Sequence, residues 1–125
     1  MRRSPIKRSR ALRHRYRKPS EKDRARAWRD AVMRSTGGLS VVSGETAHEC
    51  HHVIAKGFLR GRGLGEHVWD ARNGVPLTRR EHTRHTSRLE PIPLAVLPVQ
   101  VFDFAAAHGL EWYLEKNYAT AEGGT

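Results

Sequence analysis

The chain has 125 residues, with 23 Lys and Arg against 13 Asp and Glu and a formal net charge of +10. That length suits one compact domain and not two, and no apolar run approaches the ~20 residues of a membrane span. The single cysteine, Cys50, excludes an internal disulfide framework and any four-cysteine zinc site; the front of the chain lacks the apolar stretch of a secretory signal, so an intracellular protein with no membrane role is expected.

The positive charge is concentrated at the front. Residues 1–34 carry 14 basic side chains and three acidic ones, Glu21, Asp23 and Asp30. Such a segment gains affinity for a phosphate polyanion by releasing counterions. The predominance of Arg and the interleaved aromatics favour nucleic acid over a merely solubilising tail. With Pro5, Pro19 and no hydrophobic periodicity, residues 1–19 are expected to be a disordered basic arm ahead of one domain over 20–125.

Ser20 with Asp23 three residues later starts a helix, and Trp28, Ala31 and Val32 share its apolar face. Gly37-Gly38 ends it. Residues 39–42 and 47–54 read as two short strands around a Ser43–Thr46 turn. Residues 55–67, with four glycines and Lys56, Arg60 and Arg62, read as a loop, and Val68-Trp69 as a strand remnant. Asn73-Gly74 is a turn. Thr78 and Glu81 open a second capped helix that runs to about Arg88. Pro91, Pro93 and Pro98 punctuate a linker. Residues 99–118 form one broken or two short amphipathic helices around Gly109, with Val101, Phe102, Ala105, Leu110, Trp112 and Leu114 as the buried candidates. The sum is an α+β domain.

Four of the eight histidines, His51, His52, His82 and His85, form a pattern. Residues three apart on a helix share a face, so His82 and His85 can point at one ion. Neighbours on a strand diverge, so His51 and His52 suit different tasks: one a metal ligand, the other a proton acceptor. A neutral imidazole can perform either near pH 7, its unperturbed pKa being about 6.5. His14, His48, His67 and His108 read as ordinary packed or solvent-facing residues, and Cys50 as a buried thiol.

The stretch HHVIAKGFLRGRGLGEHVWDARNGVPLTRREHTRH resembles the ββα-metal (His-Me finger) motif of HNH endonucleases. That motif places an Asn after a His-His pair and then a His on a short helix; His51-His52, Asn73 and His82 match it, with a spacing similar to that in colicin nuclease domains. The resemblance covers residues 37–88. The arm and the C-terminal helices, 98–118, match only in general style, as in short phage and prophage HNH proteins. It implies a ββα-metal core with flanking helices and a metal-dependent DNA endonuclease that hydrolyses phosphodiester bonds. His51 and His82 would be metal ligands, His52 the general base, and Asn73 the residue that holds its loop. His85 is a further ligand candidate, although the position that colicin nucleases use is Thr86 here. Arg60, Arg62, Arg84 and Arg88 would contact the phosphates of duplex DNA. One divalent ion is implied, with zinc, nickel or manganese favoured over magnesium by imidazole ligation.

Many relatives also carry two Cys-x-x-Cys pairs for a structural zinc. The equivalent positions are Ser40, Ser43, Thr78 and Glu81, so no structural four-cysteine zinc is expected, and packing of Leu39, Val41, Val42, Val53 and Ile54 is expected to hold the hairpin instead. Two other readings stay open. One is a non-catalytic DNA- or RNA-binding module that keeps the fold. The other is a phage assembly factor with a packaging partner such as a terminase or portal.

Overall fold

The Ser20 hydroxyl accepts the Asp23 N–H while the Asp23 carboxylate accepts the Ser20 N–H, and this reciprocal cap opens helix α1, Glu21–Ser35. The computed structural model describes residues 18–120; the expected disordered arm lies, up to residue 17, outside the described residues. Beyond α1 come strand β1 (Glu49–His51), helix α2 (Lys56–Gly61), a 3-10 turn at Gly65–His67 and strand β2 (Val75–Leu77). Helix α3 (Arg79–Thr86), a 3-10 turn at Leu94–Val96, and helices α4 (Val99–Ala107) and α5 (Glu111–Asn117) complete an α+β domain. Among the described residues no helix is long and apolar enough to cross a membrane.

The strand pairing differs from the expected hairpin. β1 pairs antiparallel with β2, Glu49 opposite Leu77 and His51 opposite Val75. Residues 39–47 form no strand: they contribute the isolated bridge between Leu39 and Thr46 and a single backbone bond to β2, from the Val41 N–H to the Pro76 carbonyl at 3.2 Å. The reason is local competition for backbone groups: Ser40 Oγ accepts the N–H groups of Val42 and Ser43, closing a turn where a ladder would have run. Residues 53–54 leave the strand as well. Both polar backbone groups of Ile54 are taken by the Asn73 amide, and the Val53 carbonyl by Tyr118. Leu39 and Val42, expected to pack, are exposed. Their place is taken by a polar knot in which buried Ser40 donates to Glu81 Oε1 at 2.5 Å, the same oxygen that accepts the Thr78 N–H at 2.9 Å. Thr78 Oγ1 in turn accepts the Glu81 N–H, so the cap of α3 and the 40–43 turn are one hydrogen-bonded unit.

Residues 55–67 are not a plain loop, because they contain α2 and a 3-10 turn. Gly57 and Gly61 weaken the local helix signal, and burial of Leu59 in the core overrides it. Val68-Trp69 is a turn rather than a strand. Helix α3 stops at Thr86, two residues early, and Arg88 sits at φ 61 in the left-handed region. The C-terminal stretch is two helices parted at Gly109, φ 67. Their inner faces use Val101, Phe104 and Ala105, then Leu110 and Leu114. Trp112 is 44 % exposed and Phe102 only half-buried, since Phe102 lies off the Val101, Phe104 and Ala105 face of α4 and Trp112 off the Leu110 and Leu114 face of α5.

Val53, Ile54, Leu59, Val68, Val75, Leu77, Phe104, Leu110 and Leu114 share one core. Helix α1 lies against the sheet from outside that cluster, its Trp28 and Val32 buried over Gly74. A Cβ at Gly74 would fall 2.6 Å from both Trp28 Cζ2 and Val32 Cγ2. Gly74→Ala is therefore expected to push α1 outward and to lower stability by about 1–3 kcal/mol, the range for overpacking a filled site. Urea unfolding checks this, and a variant with the wild-type midpoint would show that α1 does not close on this turn.

Candidate active site

His51 is the last residue of β1 and His52 the next along, and the two side chains part to opposite sides of the strand end. The His51 ring lies with those of His82 and His85 on α3, ring centres 5.1 and 5.0 Å away. The His52 ring stacks on Trp28 at 3.9 Å and 7° between planes, with the edge of Trp69 at 5.3 Å. His51, His82 and His85 thus form one group of imidazoles, and His52 sits apart from it against Trp28 and Trp69.

Asn73 hydrogen-bonds to Ile54 and to neither histidine. It is fully buried, its Oδ1 accepting the Ile54 N–H at 2.8 Å and its Nδ2 donating to the Ile54 carbonyl at 3.0 Å. Those two bonds fix the chain two residues beyond His52 onto the turn that enters β2.

Hydrogen bonding determines which ring nitrogen keeps a free lone pair. The His52 Nε2 lies 3.1 Å from the Val68 carbonyl, which can only accept, so Nε2 carries the proton and Nδ1 is free. The Tyr118 hydroxyl donates its one proton to the Val53 carbonyl at 2.5 Å, so it accepts from His51 Nε2 at 2.8 Å and leaves His51 Nδ1 free. His82 Nδ1 donates to Glu49 Oε1 at 2.7 Å, leaving Nε2 free in the neutral ring. Glu49 also accepts from Arg79, and these bonds, with His82 the stronger influence, hold its carboxyl below the usual range. His85 is the exception. Its Nδ1 accepts the Ile92 N–H at 3.0 Å, so the proton stands on Nε2 and the ring presents a donor rather than a ligand.

Among the described residues no three His, Cys, Asp or Glu side chains form a ready ligand set. Rings that share a first-row ion at about 2.1 Å and a tetrahedral angle have centres roughly 5 Å apart; those of His51 and His82 stand at 5.1 Å and those of His51 and His85 at 5.0 Å.

Burial, with smaller contributions from His85, His82 and His52, pushes His51 down to about 3. Burial also lowers His52 to about 4, opposed by its bond to Val68 and helped by Lys56 and Arg60. Both rings are neutral at pH 7. An open cleft of about 540 Å³ runs past His51, His52 and His85 and on to Arg88, Lys116 and Tyr118. Of the expected phosphate contacts, Arg88 lines this cleft. Arg60 is paired with Glu21 at 2.7 Å, Arg84 with Glu90 at 2.6 Å, and Arg62 rests over Phe58 and Trp112.

Sequence reasoning missed Glu49, Trp28, Lys116 and Tyr118. Glu49 was accessible to it, since it lies two residues before His51 on the same strand face. Tyr118 was not, being 67 residues away from His51. Cys50 is half-buried with its Sγ 3.7 Å from the Arg29 carbonyl, and burial raises its thiol to about 11. Comparisons with family models, with curated proteins and with solved structures found no match.

The lowered histidines carry a sign for stability. Their folded values, about 3 and 4, lie below the ordinary ~6.5, so the unfolded chain binds more protons as the pH drops. Their contribution is fully present above about pH 6.5 and is lost as the pH falls through 4 towards 3. The urea midpoint of the metal-free protein is expected to fall steadily between pH 7 and pH 4. A flat midpoint across that range contradicts neutral burial of the two rings.

Proposed function

We propose that this chain is a metal-dependent DNA endonuclease of the HNH type, built on a ββα-metal core, in which His51 and His82 hold one divalent ion and His52 is the general base. The observation that carries the reading is the division of free lone pairs. His51 is bonded through Nε2 to Tyr118, His82 through Nδ1 to Glu49 and His52 through Nε2 to Val68, so His51 Nδ1, His82 Nε2 and His52 Nδ1 are the nitrogens left over. The His51 ring lies beside His82, while the His52 ring lies against Trp28. The Glu49 carboxylate behind His82 is the outer partner that metal-ligating imidazoles ordinarily have.

A bound ion would supply Lewis acidity to a phosphate oxygen and to the leaving oxygen. The remaining steps belong to the chain itself. His52 is unprotonated at neutral pH because it is buried, and its Nδ1 takes the proton of an attacking water. The Val68 carbonyl holds the opposite N–H and stabilises the imidazolium that forms, while the Trp28 stack fixes the ring plane. His85 gives its Nε2 proton as a hydrogen bond to a non-bridging oxygen, a role its bond from Ile92 suits better than ligation. Arg88 and Lys116 along the cleft bind flanking phosphates and position the strand without reading its sequence.

Supercoiled plasmid with added Mn²⁺, Ni²⁺, Zn²⁺ or Mg²⁺ tests this. His52→Ala is expected to lower cleavage about 10²–10⁴-fold, the usual worth of a general base, while retardation of DNA in a gel persists. Wild-type protein that retards DNA yet cuts with none of these ions would make the chain a non-catalytic nucleic-acid-binding module. Glu49→Gln is expected to weaken metal binding by about 10–100-fold, the usual effect of losing an outer partner. Calorimetric titration with Zn²⁺ measures that, and equal affinity would remove Glu49 from the site.

A further inference from the structure

We infer that Tyr118, outside the His-His–Asn–His pattern and far from it in sequence, is a positioning residue of the metal site that sets the tautomer of His51. The inference rests on the reading of His51 as a metal ligand. Tyr118 is 4 % exposed, and its hydroxyl makes two bonds of opposite sense: donor to the Val53 carbonyl, acceptor from His51 Nε2. A phenol has one proton. The carbonyl cannot donate, so the direction of the whole chain of bonds is fixed, and the His51 proton is held on Nε2 with Nδ1 left for a cation. Without the hydroxyl the ring could carry its proton on Nδ1, where no cation can bind.

The surroundings make this a coupled device rather than a lone contact. The Tyr118 ring stacks against His85 at 4.9 Å and 23° between planes. The next residue, Ala119, exchanges backbone bonds with the 92–94 segment: Ala119 N–H to the Ile92 carbonyl at 3.0 Å and Leu94 N–H to the Ala119 carbonyl at 2.7 Å. Ile92 N–H in turn fixes the His85 tautomer. The segment after α5 therefore bears on the proton positions of His51 and of His85 beside it, the first directly and the second through the 92–94 segment.

Tyr118→Phe keeps the ring and removes the oxygen. Zn²⁺ affinity measured by calorimetry is expected to fall about tenfold or more, in the range seen for lost outer partners. Long-range ¹H–¹⁵N correlations on the metal-free protein are expected to show His51 protonated at Nε2 in the wild type and shifted towards Nδ1 in the variant. Unchanged Zn²⁺ affinity in the variant overturns the inference, as does a wild-type His51 protonated at Nδ1. Wild-type protein that binds no Zn²⁺ overturns the metal reading as well, and is told apart from failure of Tyr118 alone, in which wild type and variant bind equally. Should Tyr118→Phe not fold, the wild-type tautomer decides.

Discussion

The Asn73 amide, closed inside the protein on both polar groups of Ile54, is the constraint from which the rest of the arrangement follows. It satisfies a backbone donor and a backbone acceptor just where the chain leaves β1 and the sheet ladder stops. Buried peptide groups left unpaired there would cost about 1–3 kcal/mol each. With that joint fixed, the turn before β2 lies beside the end of β1, and β2 can pair with Glu49–His51 in a single register. A slip of one residue would exchange the two faces of the strand and carry His51 away from α3.

From that register, the division between His51 and His52 needs no further device. Strand geometry turns them apart. His51 enters a polar group of imidazoles, carboxylate and phenol, whereas His52 enters an aromatic sandwich with Trp28 and Trp69. Each environment supplies one acceptor for one ring nitrogen and withholds partners from the other. Burial then keeps both rings neutral, and a neutral ring with one nitrogen committed is poised to bind a cation or to take a proton.

The polar knot of Ser40, Thr78 and Glu81 plays a comparable part for α3. It joins the start of the helix that carries His82 and His85 to the 40–43 turn. Ser43 belongs to the same unit, since the Ser40 hydroxyl accepts its N–H.

Local signals were strong enough to reveal both capped helices, the break at Gly109, the Asn-Gly turn and the α+β character. Caps, glycines and period are chemistry of a few adjacent residues. The sequence also selected His51, His52, His82 and Asn73, because their residue types and order form a pattern. It misread the partner of β1, since side-chain competition for the backbone at Ser40 and Asn73 carries no periodicity. It also overlooked α2, where glycines mask a helix that exists only because Leu59 is buried.

What the sequence determined by itself, then, is which residue types are available for chemistry and roughly which elements carry them. Tertiary structure alone decided how each imidazole is used. A histidine offers a lone pair or a proton according to the bond at its other nitrogen, and those bonds come from Tyr118, Val68, Glu49 and Ile92. Tyr118 and Val68 are distant along the chain, and none of the four is recognisable as a partner until the chain has folded.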